Sequence, residues 1–460
     1  MPGDKDEASM TKRSIPPPKK GKESDVKKSL LKNKRPQNLE LLIVNGLAGE
    51  GADDVCTEDQ EYQAFVKTLK RKDKVLLKKA EEALKLRDDA SKTQPLKYRI
   101  LMSKMSVATK VIALEKLKDL VKMSPSDREF SKLKEWFNVM LDIPHGEFHT
   151  LPVSKYDKPE DIQAFLTKTR SAFEEEVYGL ESVKDAFMRI LAQTITNTAS
   201  AAHAIGIQGP PGCGKTLGLQ AFSSALGRPL HLIGLGGCKD SSYLIGHEYT
   251  YASSRHGLLV DILMRSKCMN PIILFDELDK VSDTPQGQEI IGLLIHLIDS
   301  SQNHLIQDKY LPGLQLDFSG VLFVFSYNDH TKIDPILLDR MMQMRVTGFK
   351  TRDKLAIAKR FLLPKAVKNV GLHPELVRVS DDVLGHVIER HTHGEAGVRS
   401  LKRCLECICM QINLMCLTRT ATSGLSVAFD DFPMEITRGD VDVMLKEMKV
   451  ENEVPFGMYI

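Results

Sequence analysis

Four short apolar runs in the middle of the chain have the composition of buried strands. They read AIGIQ, HLIGL, PIILF and VLFVF, and they lie between Ala204 and Phe325. Longer segments with helical apolar spacing separate them. This alternation predicts an α/β fold, in which a parallel sheet is flanked by helices. Such sheets bind ligands in the crevice at the carboxyl ends of their strands.

Helical patterns precede and follow this alternating region. On the amino-terminal side, we expect an apolar stripe from Thr57, a run over 95–121, and a third helix with Ser124 as cap and Pro125 in its first turn. On the carboxyl-terminal side, the spacing over 351–420 predicts a small helical domain. The segment 425–448 could add a strand pair and a last helix.

Composition is that of an ordinary soluble globular protein, with 42% hydrophobic and 27% charged residues among 460. No apolar run reaches about 18 residues, so we expect no membrane span. The eight cysteines favour a reducing compartment. The segment CLECIC, which begins at Cys404, could be a metal site or part of a helix that buries its cysteines. We prefer the helix.

Charge is concentrated at the amino terminus, although the net charge of the chain is only +3. Residues 1–36 contain eleven Lys/Arg against five Asp/Glu and few large apolar residues, so we expect disorder. This basic tail could bind nucleic acid, act as a nuclear address, or simply be solvated. It lacks the apolar centre of a secretory signal, so a cytoplasmic protein is expected, with a nuclear one as the alternative.

The segment GPPGCGKT matches the phosphate-binding pattern G-x-x-x-x-G-K-[ST]. The apolar run AIGIQ precedes it and a helical pattern follows, as that pattern requires. Its glycines allow backbone N–H groups to surround a phosphate, Lys215 supplies positive charge, and Thr216 offers a hydroxyl to Mg²⁺. The segment comprises Gly209, Pro210, Pro211, Gly212, Cys213, Gly214, Lys215 and Thr216.

Two further apolar runs end in polar residues suited to the same chemistry. PIILF leads into Asp276, which could hold Mg²⁺, and Glu277, which could polarise an attacking water. VLFVF leads into Asn328, whose amide could position that water. Any one of these side chains could simply be solvated, but three such strand ends in this order predict ATP and Mg²⁺ as cofactors.

The run from Tyr178 to about Met448 resembles the ATPase module of Lon proteases, in the AAA+ superfamily. The resemblance places Tyr178 and Gly179, in YGLESVKDAFMRIL, beside the adenine. It makes Arg340, in IDPILLDRMMQMRVTGF, an arginine finger. The segment HGEAGVRSLKR corresponds to the sensor-two helix with Arg399. The segment LIGLGGCKDSSYLIGHEYTYASSRHG resembles the strand and loop that reach the pore, where Tyr251 followed by Ala252 would grip substrate, less firmly than an aromatic–aliphatic pair.

The resemblance implies a homo-oligomeric ring, a hexamer, in which Arg340 acts on the neighbouring subunit's ATP. Polypeptides would be the clients to be unfolded, and a separate peptidase could cooperate. Lon proteases continue into a Ser–Lys peptidase domain, whereas this sequence stops at ENEVPFGMYI, so we expect no intrinsic proteolysis. Two alternatives stay open: an AAA+ ATPase that acts on DNA or RNA through its basic amino-terminal region, and a scaffold that binds ATP only to assemble.

These patterns predict six regions along the chain. They are a basic tail (1–37), a helical region (38–144), a linker (145–160), an AAA+ nucleotide-binding domain (161–350), a helical lid domain (351–450) and a carboxyl-terminal tail (451–460).

Overall fold

The computed structural model describes residues 67, 71, 74, 75, 94–197, 204–238, 240–249, 254–373, 377–418 and 434–446. The basic tail, the carboxyl-terminal tail and the pore-loop residues Tyr251 and Ala252 lie outside the described residues. The chain divides into two units, Met1–Asp89 and Ala90–Ile460. In the first unit the four described positions are helical. All structure below belongs to the second unit.

A five-stranded, all-parallel sheet forms the centre of this unit, with strand order β2-β3-β4-β1-β5. The predicted α/β class is therefore confirmed, and each of the four predicted apolar runs contributes a strand. The fifth strand was not predicted. The strands are β1 (Ala204–Gln208), β2 (Leu230–Gly234), β3 (Ile272–Asp276), β4 (Leu322–Tyr327) and β5 (Met342–Arg345).

The prediction that HLIGL is a buried strand was wrong, because β2 lies at the edge of the sheet. Among the strands that the structure describes, only β3 pairs with it, and Leu232 is 55% exposed. The central strands β3, β4 and β1 are buried along nearly their whole length. Successive residues of β3 alternate between two apolar cores: Ile273 and Phe275 face one, and Ile272 and Leu274 face the other.

Helices cover both faces of the sheet. On one face three phenylalanines stack between helices, with ring centroids 4.3 Å apart for Phe187 and Phe222 and 5.8 Å for Phe173 and Phe222. These three phenylalanines join the helices that carry them into one layer, namely Pro159–Glu176, Glu181–Thr196 and Lys215–Leu226. The helices of this domain are α4 (Pro159–Glu176), α5 (Glu181–Thr196), α6 (Lys215–Leu226), α7 (Ser242–Ile245), α8 (Leu258–Ser266), α9 (Pro285–Ile298) and α10 (Pro335–Asp339).

Arg228 ties together the amino-terminal edge of the sheet. Its guanidinium donates to the carbonyl oxygen of Asn270 at 2.7 Å and to that of Gly320 at 3.0 Å, and these residues precede β3 and β4. Burial lowers the pKa of Arg228 to about 10, so the group remains a cation at neutral pH. The protein would therefore lose stability if a substitution removed either the guanidinium or the carbonyl oxygens that accept from it, because the remaining group would be buried without a partner.

Within the described part of the second unit, three helices precede the sheet domain: α1 (Leu96–Met102), α2 (Val107–Lys122) and α3 (Arg128–Asp142). The apolar residues Leu133, Phe137 and Met140 of α3 are buried. Phe137 belongs to the same continuous core as Phe275 of the sheet. These helices therefore pack on the sheet domain and share its core.

Two details of that helical region differ from the predictions. The run over 95–121 is two helices, because Ser106 caps α2 by accepting a hydrogen bond from the Thr109 amide. The third helix begins at Arg128, not at Pro125. Asp127 accepts a hydrogen bond from the Ser124 amide at 3.0 Å, which closes a turn and leaves Ser124 and Pro125 outside the helix. Residues 143–158, which include most of the predicted linker, form neither helix nor strand.

The lid has its own apolar core and a two-stranded parallel sheet. Ser380 caps the helix Asp381–His391 by accepting a hydrogen bond from the Val383 amide. Only one strand of the pair, β7, comes from the predicted segment, and its partner β6 precedes α13. The elements are α11 (Thr351–Ile357), a π-helical turn (Ala358–Leu362), α12 (Leu363–Asn369), β6 (Val377–Val379), α13 (Asp381–His391), α14 (Arg399–Thr418), β7 (Met434–Ile436) and α15 (Arg438–Met444).

The predicted helix around CLECIC is confirmed as α14, and Cys404 and Cys409 are buried in the lid core. Among the described residues, no helix is long and apolar enough to cross a membrane.

Candidate nucleotide-binding site

A cleft of about 690 Å³ lies where the carboxyl ends of β1, β3 and β4 face the lid. It brings together most of the predicted site residues, which come from four separate segments of the chain. Gly209 and Pro210 lie just before the part of the loop that lines it. The predicted residues that line the cleft are Pro211, Gly212, Cys213, Gly214, Lys215, Thr216, Asp276, Glu277, Asn328 and Arg399.

The loop between β1 and α6 has the backbone shape that an anion cradle requires. Gly212 and Gly214 have φ values of 76° and 84°, in the left-handed region that favours glycine. Gly214 is the N-cap residue of α6 and has no side chain, so no cap hydrogen bond occupies the amides of the first turn. Those amides and the positive end of the helix dipole are therefore available to a phosphate.

Lys215 directs its ammonium group to the end of β4. Nζ lies 2.5 Å from the Gly209 carbonyl oxygen, 3.0 Å from Asn328 Oδ1 and 3.2 Å from the Tyr327 carbonyl oxygen. Burial lowers the pKa of Lys215, while the charge of Asp276 opposes that shift. A partly desolvated cation with neutral acceptors gains most from an anionic ligand.

The acidic pair lies at the end of β3. Asp276 Oδ1 accepts hydrogen bonds from the Ser326 hydroxyl and, at 3.0 Å, from the Glu277 amide. Glu277 has a φ of 59°, a left-handed conformation that costs a non-glycine residue about 1–2 kcal/mol. Its side chain approaches Gly236 so closely that a Cβ there would lie 2.5 Å from Glu277 Oε2. A strained backbone thus holds this carboxylate in place, and such strain is common at functional sites.

Sequence reasoning missed Ser326, Lys365 and Lys402, which also line the cleft. Ser326 had a detectable signal, because it is a polar residue inside the apolar strand LFVFSY. The two lysines lie on lid helices, among other exposed residues such as Lys368 and Arg403, so the pattern alone did not single them out.

The lid contacts the phosphate loop mainly through backbone groups. The Val398 amide donates to the Gly212 carbonyl oxygen at 3.1 Å. A Cβ on Gly397 would lie 2.2 Å from the Pro211 carbonyl oxygen, so only glycine permits this approach. Arg399 follows directly as the first residue of α14 and enters the cleft. The position of Arg399 therefore depends on this contact.

Arg340 lies outside the cleft. It follows α10, and its Nη1 atom lies 2.5 Å from Asp299 Oδ2 at the end of α9. Its side chain is 37% exposed. The structure therefore separates Arg340 from the phosphate-binding residues of its own chain.

Tyr178 and Gly179 line a neighbouring cavity of about 570 Å³, together with Phe349 and Asp353. The Tyr178 hydroxyl donates to Asp353 Oδ1 at 3.2 Å. The next residue, Leu180, lies close to α6: its Cδ1 would be 3.5 Å from a Cβ on Gly218. This turn therefore lies beside the phosphate-loop helix, although it does not share the cleft.

The fold and this cleft define a P-loop AAA+ module. Residues 205–348 match the family model for the ATPase family associated with various cellular activities (AAA). Residues 368–423 match the model for the Lon protease AAA+ ATPase lid domain. The chain therefore contains a Lon-like AAA+ ATPase module, which confirms the resemblance found in the sequence and implies nucleotide binding.

Curated relatives agree with this assignment. The chain is 39% identical over 251 residues to a Lon protease homolog of Acanthamoeba polyphaga mimivirus, covering 54% of this chain and 24% of the relative. It is 34% identical over 316 residues to the Lon protease of Brucella melitensis, covering 69% and 37%. It is 31% identical over 325 residues to the peroxisomal Lon protease homolog 2 of Danio rerio, covering 71% and 37%. The chain thus spans about a quarter to two fifths of the length of these relatives.

Proposed function

We propose that this protein is a ring-forming, Mg²⁺-dependent ATPase that uses hydrolysis to unfold or remodel polypeptides. The observation that carries the proposal is the convergence of Lys215, Asp276, Glu277, Asn328 and Arg399 on one cleft. Cation, carboxylates and amide in this arrangement suit the transfer of a phosphoryl group to water.

The phosphate loop and Lys215 would bind the triphosphate. The glycine backbone leaves the first-turn amides of α6 unobstructed, and Lys215 Nζ is close enough to Asn328 to face the same ligand. Thr216 and Asp276 would hold Mg²⁺, which neutralises charge on the phosphates when bound. Both are oxygen donors, which Mg²⁺ prefers, and both line the cleft.

Glu277 would accept a proton from the attacking water, and Asn328 would orient that water. Ser326 acts through Asp276, since its hydroxyl fixes the orientation of that carboxylate. The hydrogen bond leaves Asp276 Oδ2 for a second partner.

The two arginines would act from opposite sides. Arg399 enters the cleft from the lid of its own chain and would couple the lid position to the nucleotide. Arg340, separate from its own cleft, would serve the neighbouring subunit as a finger, in a hexameric ring. In enzymes of this class such a finger accelerates turnover by about 10³-fold or more. Tyr178 and Gly179 would contact the adenine from the neighbouring cavity.

The polypeptide part of the proposal rests on the Lon-like module, whose named relatives are proteases. Tyr251 and Ala252 would contact the client in the pore. Nucleic acid remains the competing cargo through the basic tail, and a separate peptidase could act on the unfolded product.

One assay tests the proposal: ATP turnover of the full chain, measured alone, with unfolded casein and with single-stranded DNA. We expect turnover that casein stimulates and DNA does not. Glu277→Gln should abolish it, whereas Glu160→Gln, an exposed carboxylate in the first turn of α4, should not. Stimulation by DNA alone would favour the competing cargo, and turnover unaffected by Glu277→Gln would refute the ATPase mechanism.

The same incubation tests the expectation that these 460 residues do not cut polypeptides. Casein should remain intact on a gel while ATP is consumed. Cleavage that a serine-directed inhibitor blocks would contradict this expectation without affecting the ATPase assignment.

A further inference from the structure

Two histidines and an aspartate meet on the lid, away from the nucleotide cleft. His386 Nε2 lies 3.2 Å and His391 Nε2 lies 2.9 Å from the same oxygen, Asp442 Oδ1. The donor atoms of all three side chains lie within 4.8 Å of one another. Among the described residues this is the one group of three such side chains with metal-site spacing. The geometry points to a binding site for a divalent transition metal, for which we propose Zn²⁺.

The distances suit a shared metal ion. Ligands bound tetrahedrally to one Zn²⁺ at about 2.0–2.1 Å lie about 3.3 Å from each other. The two measured nitrogen–oxygen distances are close to that value. Without a metal, the same contacts are hydrogen bonds from two imidazoles to one carboxylate oxygen, so the site is already organised before an ion enters.

The chemical character of the donors is also suitable. Two imidazoles and one carboxylate suit Zn²⁺, whereas Mg²⁺ prefers oxygen ligands alone. His391 is 3% exposed and His386 14%, while Asp442 is 34% exposed. The imidazole of His391 is buried and that of His386 is partly buried, and the open side at Asp442 leaves access for the ion and for a water as fourth ligand.

One neighbouring charge must be accommodated. Arg390 Nη1 lies 3.8 Å from Asp442 Oδ2, the oxygen that the imidazoles do not contact. The guanidinium is 60% exposed and can turn to solvent, and its partner oxygen is not the proposed ligand atom. The ion pair of Arg390 is thus with Oδ2, and not with Oδ1, the carboxylate oxygen that would bind a metal together with the two Nε2 atoms.

The ligands come from α13 and from α15, which are separated by the whole of α14. A bound ion would therefore fasten the last helix of the lid to α13. Metal binding of this kind adds to folding stability, since the unfolded chain offers no such site. We infer that Zn²⁺ stabilises the lid and that its removal loosens α15.

The test is a titration of the metal-free full chain with Co²⁺, without nucleotide and with excess Mg²⁺ to occupy oxygen-ligand sites. We expect one Co²⁺ per chain with the visible absorption of a tetrahedral complex, displaced by Zn²⁺. Asp442→Asn and His386→Gln should each weaken binding at least about 100-fold, beyond the 10–100-fold typical of second-shell changes. His393→Asn, an exposed histidine two residues beyond α13 whose φ of 49° suits asparagine, is the matched control.

A second readout guards against variants that merely fold poorly. Zn²⁺ should raise the melting temperature of the wild-type chain and of His393→Asn, and leave that of Asp442→Asn unchanged. The proposal is refuted if the wild type binds no Co²⁺ or if Asp442→Asn and His386→Gln bind it as tightly. Near-ultraviolet bands of cobalt–thiolate bonds would also refute it, because they would assign the ion to cysteines.

Discussion

The contact between the lid and the phosphate loop leads to a quantitative prediction for Gly397→Ala. The added Cβ would lie 2.2 Å from the Pro211 carbonyl oxygen, more than 1 Å short of ordinary contact. Both groups belong to backbone, so the strain cannot be relieved by turning a side chain. The lid loop must therefore move away from the phosphate loop by about 1 Å.

That movement has two energetic consequences. The hydrogen bond from the Val398 amide to Gly212, now 3.1 Å long, would pass the limit of about 3.5 Å and be lost. The crowding that remains after this movement would destabilise the contact between the lid and the phosphate loop by about 1–3 kcal/mol. Arg399 lies two residues further and would shift with the loop. A misplacement of about 1 Å at a catalytic group can cost about 100-fold in rate.

We therefore expect Gly397→Ala to lower ATP turnover about 100-fold at saturating ATP, while the lid keeps its own core and stays folded. Gly385→Ala is the matched control, since no atom lies within 4 Å of its Cβ position in helix α13. It should leave turnover unchanged and stabilise the helix by about 0.5–1 kcal/mol. If the turnover of Gly397→Ala stayed within about twofold of wild type, this would refute the argument that the contact between the lid and the phosphate loop positions Arg399.

Three further predictions concern other parts of the molecule. Lys215→Ala should abolish nucleotide binding in a fluorescent-ATP titration, because the cleft loses its ammonium; retained tight binding would contradict the cradle assignment. Arg340→Ala should leave binding intact but lower turnover by about 10³-fold, and Asp299→Asn, which removes the carboxylate partner of the arginine, should not; equal turnover of Arg340→Ala and wild type would exclude the finger. Burial raises the pKa of Asp308 from its usual 3.8 to about 6, although the Gly257 amide bonds its carboxylate. The contribution of Asp308 to the free energy of unfolding is therefore complete below pH 3.8. It is lost as the pH rises through 6, which lowers the free energy of unfolding by about 3 kcal/mol. Asp308→Asn should remove that part of the pH dependence in urea unfolding between pH 4 and 7, and an unchanged dependence would refute it.

The sequence predicted which residues line the cleft better than it predicted the surrounding structure, for a physical reason. Lys215, Asp276 and Asn328 follow apolar runs, and parallel strands necessarily bring their carboxyl ends to one edge. Strand β5, in contrast, has the sequence MQMR, with three of its four residues exposed at the edge of the sheet. Because Met344 is the single buried residue of this strand, its sequence contains no run of buried apolar positions to detect.

Tertiary contacts explain the other differences. Ser124 and Pro125 form a good helix start locally, but the bond from the Ser124 amide to Asp127 holds them in a turn. The strand pair of the lid joins β6 to β7 across 54 intervening residues, 380–433, a pairing that no local pattern shows. The contact between His386 and Asp442 has the same long-range origin.

The two edges of the sheet have different fates under mutation. Arg228 holds the carbonyls at the amino-terminal edge, far from the cleft residues at the other edge. A substitution of Arg228 would reduce the number of folded molecules, but each folded molecule would be active. A substitution in the cleft would leave the number of folded molecules unchanged, but these molecules would be inactive. In a cell, the first kind of defect is cleared by proteolysis and can be offset by stronger expression. The second kind persists, and in the proposed ring an inactive subunit would also impair its intact neighbours.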